Sequence, residues 1–404
     1  MQAMDTAKTT PLDTPINPVW DFVIIGAGMA GASTAWQLAQ SGGETPPSVL
    51  VLERESQPGY HTTGRSAALF EEHYGPEQVQ ALTRASRAFY DAPPAGFADA
   101  PILTPRGVLY VGTAEQKELV DAAYAEAVIH SPQAQRLNAE QLQALVPCLR
   151  PDVLVDGFLD QGARDIDVHG LHQGYIRGLR QRGGDLWCNA EVEAITRVND
   201  SWHIALPKGQ SIRAKVIVNA AGAWVDTLAA MAGAAPIGIT PKRRSAFTFT
   251  APEGMDATHW PAIISADESW YIKPDAGQLL GSPANADPVP PHDVVPEELD
   301  IATGIYHIEE NTTLQIRRPS HTWAGLRSFV ADGELVIGWD ASPTPVEGFF
   351  WVAAQGGYGI QSAAGYSLLA RNLLLGEPLH ASLAQQKVNV GDVTPARCQR
   401  TAQN

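Results

Sequence analysis

The sequence VWDFVIIGAGMAGASTAWQLAQSGGETPPSVLVLERE, residues 19–55, predicts the architecture of the chain. Its apolar run at residues 22–25 is typical of a strand that is buried on both faces of a parallel sheet. Residues 32–40 predict a helix, and a second apolar run at residues 49–52 predicts the next strand. This succession of strand, glycine-rich turn, helix and strand indicates a βαβ unit of the kind that binds dinucleotides.

Three glycines and one acid suit this unit to a dinucleotide. Gly26 permits a tight turn, Gly28 lets the backbone approach a pyrophosphate, and Gly31 lets the helix lie close to the strand. The helix N-terminus offers unpaired N–H groups and a partial positive charge to the phosphates. Glu53 follows the second strand, where its carboxylate can accept both hydroxyls of an unphosphorylated adenosine ribose. A bound dinucleotide is therefore predicted.

Composition restricts the possible functions. The chain has 404 residues, of which 44% are hydrophobic and 18% charged, so a globular protein with room for two domains is predicted. Its formal net charge of −16 argues against nucleic acid as a partner. Cys148, Cys188 and Cys398 are too scattered for a disulfide framework or a thiolate metal site, and no metal is expected.

The two ends of the chain and its hydropathy predict a soluble, cytoplasmic protein. Residues 1–18 have no apolar core and are interpreted as a flexible extension, and residues 391–404 as a loose C-terminal tail. Because no apolar run reaches roughly 18 residues, no transmembrane segment is predicted. A monomer or a small homo-oligomer is expected.

Later segments continue the pattern. Residues 59–70, GYHTTGRSAALF, form a loop of small and hydroxylated residues that is expected to lie along the cofactor, with Arg65 at a phosphate. Residues 214–224 and 353–374 each lead through a turn of small residues towards a helix. Between them, alternating polar and apolar residues from residue 236 onwards predict an antiparallel sheet distinct from the parallel one.

This arrangement of glycine turns resembles the D-amino-acid oxidase (DAO) family of FAD-dependent oxidoreductases. The resemblance runs from about residue 21 to residue 363, through GYHTTGRSAA, NAAGAW, PKRRSAF, YIKPDAG, LLGSPANADP, TWAGLRSFVADG and FFWVAAQGGYGIQ. These segments are most similar to those of the FAD-dependent D-arginine dehydrogenases of that family. The resemblance implies an α/β fold, with a Rossmann-like FAD-binding domain of the glutathione-reductase type and an α+β substrate domain containing a mostly antiparallel sheet. The implied FAD domain is residues 19–100, 157–230 and 328–390, and the substrate domain residues 101–156 and 231–327.

The resemblance also implies that the dinucleotide is FAD. Because no residue offers an evident covalent link to a flavin, non-covalent binding is expected. The resemblance places the cofactor along the loop after the βαβ unit and against each of the glycine-containing turns. The implied cofactor contacts are Gly26, Gly28, Ala30, Gly31, Glu53, Arg54, Thr62, Thr63, Gly64, Arg65, Ser66, Ala67, Val192, Ala221, Gly222, Trp224, Gly356, Gly357, Tyr358, Gly359, Ile360 and Gln361.

Two arginines are implied to clamp the substrate carboxylate. They are Arg244, in KRRSAF, and Arg327, in AGLRSF. Two guanidinium groups in a flavin-lined pocket suit a carboxylate, which they bind by bidentate, charge-assisted hydrogen bonds. Arg243 is the rival to Arg244, because adjacent residues of a strand face opposite sides of the sheet.

Tyrosines and glycines complete the implied substrate site. Tyr74 and Tyr271 match two tyrosines that line the site and hold the carboxylate. The alternative for either residue is a core tyrosine whose hydroxyl has one hydrogen-bond partner. Gly356 and Gly357 match the turn at which a backbone carbonyl receives the substrate amine.

Several positions depart from the D-arginine dehydrogenase pattern within the implied substrate pocket. The D-arginine dehydrogenase pattern has an acid in the segment that matches residues 106–108, and that acid binds the guanidinium of the substrate. Here these residues read Arg-Gly-Val and contain no acid, and Val108 is expected to line the pocket instead. A histidine and a threonine of that pattern are replaced by Leu69 and Glu71. Because a guanidinium buried without a counter-charge is costly, a strongly cationic substrate side chain is not expected. Glu71 or Glu72 could still supply a replacement charge.

These residues predict FAD-dependent oxidative deamination of a D-α-amino acid with a neutral or apolar side chain. Hydride passes from Cα to the flavin, and the imino acid is hydrolysed to a 2-keto acid and ammonia. One alternative is another carboxylate substrate, such as an N-substituted glycine, a cyclic imino acid or a 2-hydroxy acid. The other is a flavin-binding subunit without activity. The electron acceptor is left open between O2, a quinone and another carrier.

Overall fold

The computed structural model describes residues 19–42 and 46–400, so the predicted extension at residues 1–18 lies outside the described residues. Its helices are α1 (Met29–Ala39), α2 (Glu77–Asp91), α3 (Lys117–His130), α4 (Ala139–Leu145), α5 (Val168–Gln181), α6 (Val225–Ala232), α7 (Glu298–Asn311), α8 (Ala363–Leu375), α9 (Ala381–Gln385), α10 (Val390–Val393) and α11 (Ala396–Arg400). Its strands are β1 (Val19–Ile25), β2 (Val49–Leu52), β3 (Leu69–Phe70), β4 (Leu103–Pro105), β5 (Val108–Gly112), β6 (Gln135–Asn138), β7 (Asp156–Asp160), β8 (Arg164–Ile166), β9 (Asp185–Trp187), β10 (Ala194–Val198), β11 (Ser201–Leu206), β12 (Gln210–Asn219), β13 (Thr240–Phe249), β14 (Ala262–Ser265), β15 (Tyr271–Asp275), β16 (Gln278–Ser282), β17 (Asp287–Pro288), β18 (His321–Phe329), β19 (Val336–Trp339) and β20 (Phe349–Ala353).

The first sheet is built around the predicted βαβ unit. Within the described residues its strand order is β10-β11-β12-β1-β2-β9, with β20 beside β12 and β19 beside β20. β1 pairs in parallel with β2 and β12, and β12 pairs in parallel with β20. The register aligns Ile25 with Leu52 and with Asn219, so the turns after these three strands open on one edge of the sheet. This edge is where α/β folds bind their ligands, and the α/β prediction is confirmed.

Both faces of the first sheet are buried, as the unbroken apolar runs predict. Val23 and Leu50 are fully buried on one face, where α6 also packs. Ile24 and Val51 are fully buried on the other face, beneath α1, α5 and α8. Successive side chains of a strand point to opposite faces, so a strand covered on both sides must be apolar throughout.

The second sheet is mostly antiparallel, which confirms the prediction for residue 236 onwards. Among the described strands its order is β17-β13-β16-β15-β14-β5-β7-β6, with β18 also paired to β13. β14 and β5 pair in parallel, whereas β13, β15 and β16 pair with antiparallel neighbours. Phe247, Ile263 and Ile272 are fully buried in its core.

Two of the predicted domain limits cut through strands of the second sheet. β7 begins at Asp156, before the predicted limit at residue 157, and pairs with β5 and β6. β18 continues to Phe329, past the predicted limit at residue 327, and pairs with β13. Because hydrogen bonds along a ladder tie each strand to its neighbours, both strands belong with the second sheet. With these limits moved, the division into FAD and substrate domains remains a prediction.

The prediction of a loose tail from residue 391 is wrong for the described part of that segment. Val393 is fully buried in the core beneath the first sheet. Just before it, the Asn389 N–H donates to Gln78 Oε1 at 2.8 Å. Arg397 donates to the carboxylate of Asp332 at 2.7 Å. The few apolar residues that anchor such a short segment are not revealed by composition. Among the described helices, none has the length and apolar character needed to cross a membrane.

Candidate active site

A deep cavity lies between the ligand-binding edge of the first sheet and the face of the second. It encloses about 2380 Å³ of free space, including solvent at its mouth. The volume of the cavity itself is about 390 Å³, within the range of roughly 300–1,000 Å³ that is typical of small-ligand pockets. Its walls come from the turns after β1, β12 and β20, the loop at residues 59–71, and strands β13 and β18.

The turn after β1 has the geometry that its glycines predict. Gly26 has φ of +105°, and a Cβ there would lie 2.4 Å from the Ala220 carbonyl oxygen. A Cβ on Gly31 would lie 1.9 Å from the Gly26 oxygen, so this glycine permits the close approach of α1. Gly28 faces the cavity, and the Met29 N–H donates to Thr63 Oγ1 at 2.9 Å. The backbone at Gly28 is therefore exposed to the cavity, with no side chain between it and a ligand.

Glu53 is held at the cavity wall by backbone donors. Its Oε2 accepts from the Ala27 N–H at 2.9 Å, and its Oε1 accepts from the Glu55 N–H at 3.0 Å. Each carboxylate oxygen has a second lone pair, so ribose hydroxyls can still bind. Beside it, the Arg54 guanidinium lies 4.1 Å from the centre of the Trp224 ring. This cation–π pair forms a flat wall next to Glu53.

Two further observations show that FAD fits this cavity. Gln355 lines it, and neither Nε2 nor Oε1 of its buried amide has a hydrogen-bond partner among the described residues. A buried amide without partners is unfavourable, and a polar ligand beside the turn after β20 would supply them. The first N–H groups of α1 have no partner within the helix and suit a pyrophosphate. Gln355 was not predicted as a site residue, because no sequence motif shows that its buried amide lacks hydrogen-bond partners within the described residues.

Arg244 and Arg327 meet on one face of the second sheet. β13 and β18 pair with Arg244 opposite Gly325 and Arg327 opposite Lys242, so the two arginines are diagonal neighbours lining the cavity. Burial and the nearby charge of Arg327 lower the pKa of Arg244. Among the described residues, neither guanidinium has a carboxylate partner in an ion pair. Two adjacent cations without a counter-ion form a site for an anionic group.

Arg243 is excluded as the rival to Arg244. It points to the opposite side of β13, where its Nε donates to Asp300 Oδ2 at 2.7 Å and its guanidinium pairs with Glu297. Ser245 Oγ also donates to Asp300, at 2.6 Å. The alternation of side chains along a strand therefore assigns Arg243 to an ion-pair network and Arg244 to the cavity.

The predicted tyrosines and glycines gather around Arg327. Tyr74 and Tyr271 both line the cavity, and Arg327 Nη2 donates to the Tyr74 hydroxyl at 3.2 Å. A Cβ on Gly357 would lie 1.5 Å from Arg327 Nη2, so only glycine leaves space for this guanidinium. Gly356 has φ of +52°, a left-handed conformation that glycine adopts readily.

Four predicted site residues do not line the cavity. Gly31 and Gly64 pack against backbone, and Tyr358 lies under Arg327, whose guanidinium is 5.7 Å from the centre of its ring. Val108 is fully buried in a core cluster with Phe158. Its strand is covered on both sides, so Val108 has no access to the cavity. Every other predicted cofactor and substrate residue lines it.

Arg65 does not have a free guanidinium for a phosphate, contrary to the prediction. Its Nη1 donates to the carbonyl oxygens of Val294 and Ala324, at 2.9 Å and 3.1 Å, and its Nη2 pairs with Asp293. These partners lie far along the chain, so no local pattern reveals them. The residue borders the cavity and ties the loop to the second sheet.

Neither Glu71 nor Glu72 offers its carboxylate to a substrate. Glu71 Oε1 accepts from the Tyr110 hydroxyl at 2.7 Å and lies 3.2 Å from His73 Nε2, which is also 3.2 Å from Asp160 Oδ2. Burial raises the pKa of Glu71. Glu72 lies 3.8 Å from Arg87 and does not line the cavity. Glu268, which was not predicted, also lines the cavity.

Known proteins resemble this chain in sequence and in fold. The family model described as FAD dependent oxidoreductase (DAO) matches residues 21–373. L-2-Hydroxyglutarate dehydrogenase of Escherichia coli is 26% identical over 58% of this chain and 55% of its own. Mitochondrial dimethylglycine dehydrogenase of Rattus norvegicus is 26% identical over 90% of this chain and 44% of its own. L-Proline dehydrogenase from P. horikoshii is similar in structure, with a TM-score of 0.76, 19% identity and coverage of 96% and 99% of the two chains.

The matches to known proteins are partial in length or low in identity. The chain spans about half the length of the sequence relatives it matches. The structural match is below 25% identity and shows the fold alone. By name, the sequence relatives act on L-2-hydroxyglutarate and dimethylglycine. The predicted family is thus confirmed, whereas the narrower resemblance to D-arginine dehydrogenases receives no support from them.

Proposed function

The chain belongs to the DAO family of FAD-dependent oxidoreductases, and within it we propose that this protein oxidises the Cα–N bond of an amino acid. The observation that carries the proposal is the pair Arg244 and Arg327, which meet without a carboxylate partner among the described residues. The cations face the cavity that fits FAD. A carboxylate is the group that such a pair binds best, because guanidinium and carboxylate form bidentate hydrogen bonds.

The residues of the chain act by binding and orientation. Arg244 and Arg327 hold the substrate carboxylate, and Tyr74 supports Arg327 through its hydroxyl. Fixing the carboxylate restricts where Cα can lie, and such positioning provides a large part of the rate in reactions of bound partners. When bound, FAD supplies the acceptor for the hydride that leaves Cα. The imino acid then hydrolyses to a 2-keto acid and ammonia.

For the substrate we propose a D-α-amino acid with a neutral or apolar side chain. The apolar part of the wall supports this choice, since Leu69, Ala246 and Ile264 line the cavity. The carboxylate of Glu71 supports it too, because it already accepts a hydrogen bond from Tyr110 and is not free to pair with a guanidinium. The D configuration rests on the resemblance of the motifs.

A second candidate is an N-substituted glycine, supported by the match to dimethylglycine dehydrogenase along 90% of this chain. Such a substrate presents the same carboxylate to the arginine pair and also loses hydride from a carbon next to nitrogen. A flavin-binding subunit without activity is the weaker alternative, because both arginines and both tyrosines line one cavity.

Anaerobic reduction of the bound flavin tests these candidates. The purified holoprotein is mixed with neutral D-amino acids, their L-enantiomers, sarcosine, dimethylglycine, proline and 2-hydroxy acids, and flavin absorbance is followed. Fast bleaching by neutral D-amino acids is expected. Bleaching only by N-methylated glycines would establish the second candidate, and bleaching only by L-amino acids, proline or 2-hydroxy acids would overturn the proposed substrate. Reoxidation with O2 or a quinone then identifies the electron acceptor.

A further inference from the structure

The turn between β14 and β15 carries a carboxylate at the cavity wall. Glu268 lies in this turn and lines the cavity, and so do Ile264 and Tyr271, which pair across the two strands. The side chain of Glu268 is exposed, and it has no ion-pair partner among the described residues. An unpaired acid beside a site with two cations affects which charged substrates can enter.

The backbone holds Glu268 in place. Its φ of +54° lies in the left-handed region, which residues other than glycine seldom adopt. The Glu268 N–H donates to the Ser265 carbonyl oxygen at 2.8 Å, and Ser265 Oγ accepts from the N–H groups of Ser269 and Trp270, at 2.9 Å and 3.1 Å. Strained conformations that are over-determined in this way cluster at functional sites.

The charge of Glu268 acts on Arg244, one of the two arginines of the site. Burial and the charge of Arg327 lower the pKa of Arg244. The negative charge of Glu268 acts in the opposite direction and raises it. Glu268 also acts on the buried hydroxyl of Tyr358, whose pKa is raised by burial to about 12. The carboxylate therefore lies within electrostatic range of the carboxylate-binding site.

We propose that Glu268 sets the charge selectivity of the substrate site by disfavouring substrates with a second negative charge. This inference rests on the proposed function only in placing the substrate carboxylate on Arg244 and Arg327. A second carboxylate on the same substrate meets the negative charge of Glu268 at the cavity wall, whereas a neutral group of equal size does not. The site is thereby directed away from dicarboxylates such as 2-hydroxyglutarate, the substrate in the name of one relative.

The test compares two ligands that differ only in charge. Succinate and its monoamide, succinamate, are titrated into the holoprotein at low ionic strength, and each Kd is read from the shift in flavin absorbance. The wild type is expected to bind succinamate more tightly. Glu268→Gln, which removes the charge and keeps the shape, is expected to reduce the ratio of the two Kd values by about two- to fivefold, the range of exposed charge pairs. High salt, which screens the charge of Glu268, should also reduce the ratio of the two Kd values in the wild type.

Two matched variants serve as controls. Asp267→Asn removes the same charge one residue away, at an exposed side chain that does not line the cavity, and is expected to keep the wild-type ratio. Glu268→Asp keeps the charge in the turn and is expected to keep the selectivity for succinamate. An unchanged ratio in Glu268→Gln, or an equal change in Asp267→Asn, would overturn the inference and leave the proposed function intact. Failure of the wild type to bind either acid would overturn the proposed function and this inference with it.

Discussion

Adjacent residues of one strand have different roles in this molecule. Arg243 and Arg244 share a motif, yet one lies in an ion-pair network and the other lines the cavity. Two glutamates that are distant in sequence differ in a similar way. The Glu71 carboxylate accepts a hydrogen bond from Tyr110, whereas Glu268 lines the cavity without an ion-pair partner among the described residues. At the scale of single residues, the direction of a side chain determines whether its charge acts on a ligand or on the fold.

The two arginines give a matched pair of substitutions. Arg244→Gln removes one of the two cations from the site, so we expect kcat/KM to fall by a factor of about 10² to 10³ with little change in thermal stability. Arg243→Gln leaves Asp300 buried and unpaired, so we expect a loss of about 3 kcal/mol in the free energy of unfolding. Its folded fraction should retain normal kcat/KM. Steady-state kinetics and urea denaturation measure both, and a stable but inactive Arg243→Gln would contradict the assignment.

The buried cluster of Glu71, His73 and Asp160 predicts a pH dependence of stability. Burial lowers the pKa of His73, but Asp160 and Glu71 outweigh it, so the pKa is raised above 6.5. Stability from the protonated imidazole is therefore complete below pH 6.5 and is lost as the pH rises through the raised pKa. The pKa of Asp160 is lowered, despite burial, by His73, so its contribution is present above pH 3.8 and is lost as the pH falls through the lowered value.

We expect His73→Gln to remove much of the alkaline slope of this profile. At pH 6 it should lower the free energy of unfolding by about 3–5 kcal/mol, because two carboxylates are left without their cation. Urea denaturation between pH 5 and pH 9 measures both effects. The exposed His259→Gln is the control and should leave the profile unchanged. A profile that is the same in wild type and His73→Gln would show that His73 is not the titrating group.

At the edge of the first sheet, the turns after β1 and β12 and the helix α1 pack so closely that no side chain fits between them. The turn after β1 touches the turn after β12 at Gly26 and Ala220, and α1 touches it through Gly31. These contacts are backbone to backbone, so they depend on glycine and not on hydrophobicity. Close packing of backbone against backbone therefore fixes the conformation of this turn.

A substitution in this turn should weaken cofactor binding. Gly26→Ala introduces a Cβ 2.4 Å from a carbonyl oxygen at φ of +105°, so the turn must move. We expect at least a tenfold rise in the Kd for FAD, measured by quenching of flavin fluorescence, together with a lower Tm. Gly183→Ala is the control, since it has φ of +82° but nothing within 4 Å of the new Cβ. It should lose about 1–2 kcal/mol of stability from backbone strain and keep its FAD affinity; equal losses of affinity would contradict the steric argument.

The molecule as a whole places its ligands between two sheets. Residues of both sheets line one cavity, from Gly26 and Glu53 on one side to Arg244 and Arg327 on the other. A bound cofactor therefore touches elements that are separate in sequence and in architecture. Such a ligand stabilises the folded state by a free energy that rises with the logarithm of its concentration above the Kd.

Removal of FAD tests this arrangement. We expect the apoprotein to have a lower Tm, and FAD at 100 times its Kd to add about 2.7 kcal/mol to the free energy of unfolding. Differential scanning calorimetry at increasing FAD concentrations measures the effect. FMN, which lacks the adenosine that Glu53 is placed to bind, serves as the control ligand and should stabilise less. A Tm that does not change with FAD would contradict a site inside the fold.

The sequence alone determined the βαβ unit, the mostly antiparallel second sheet, and the positions of most cavity residues. Tight turns, close backbone approach and burial on both faces each require particular residue types at fixed local spacing, so they can be read from a single chain. Gly26, Gly28 and Glu53 belong to this group, whereas Arg244 was implied by the family resemblance and was separated from its rival Arg243 only by the structure.

Only the tertiary structure determined the partners of the charged and polar side chains. Arg65 pairs with Asp293 and Glu71 bonds to Tyr110, so neither presents a free charge to a ligand. Gln355 and Glu268 face the cavity, and neither has such a partner within the part of the chain that the structure describes. These outcomes depend on residues that are distant in sequence and meet only when the sheets pack, because electrostatic and hydrogen-bond energies depend on distance in space and not along the chain.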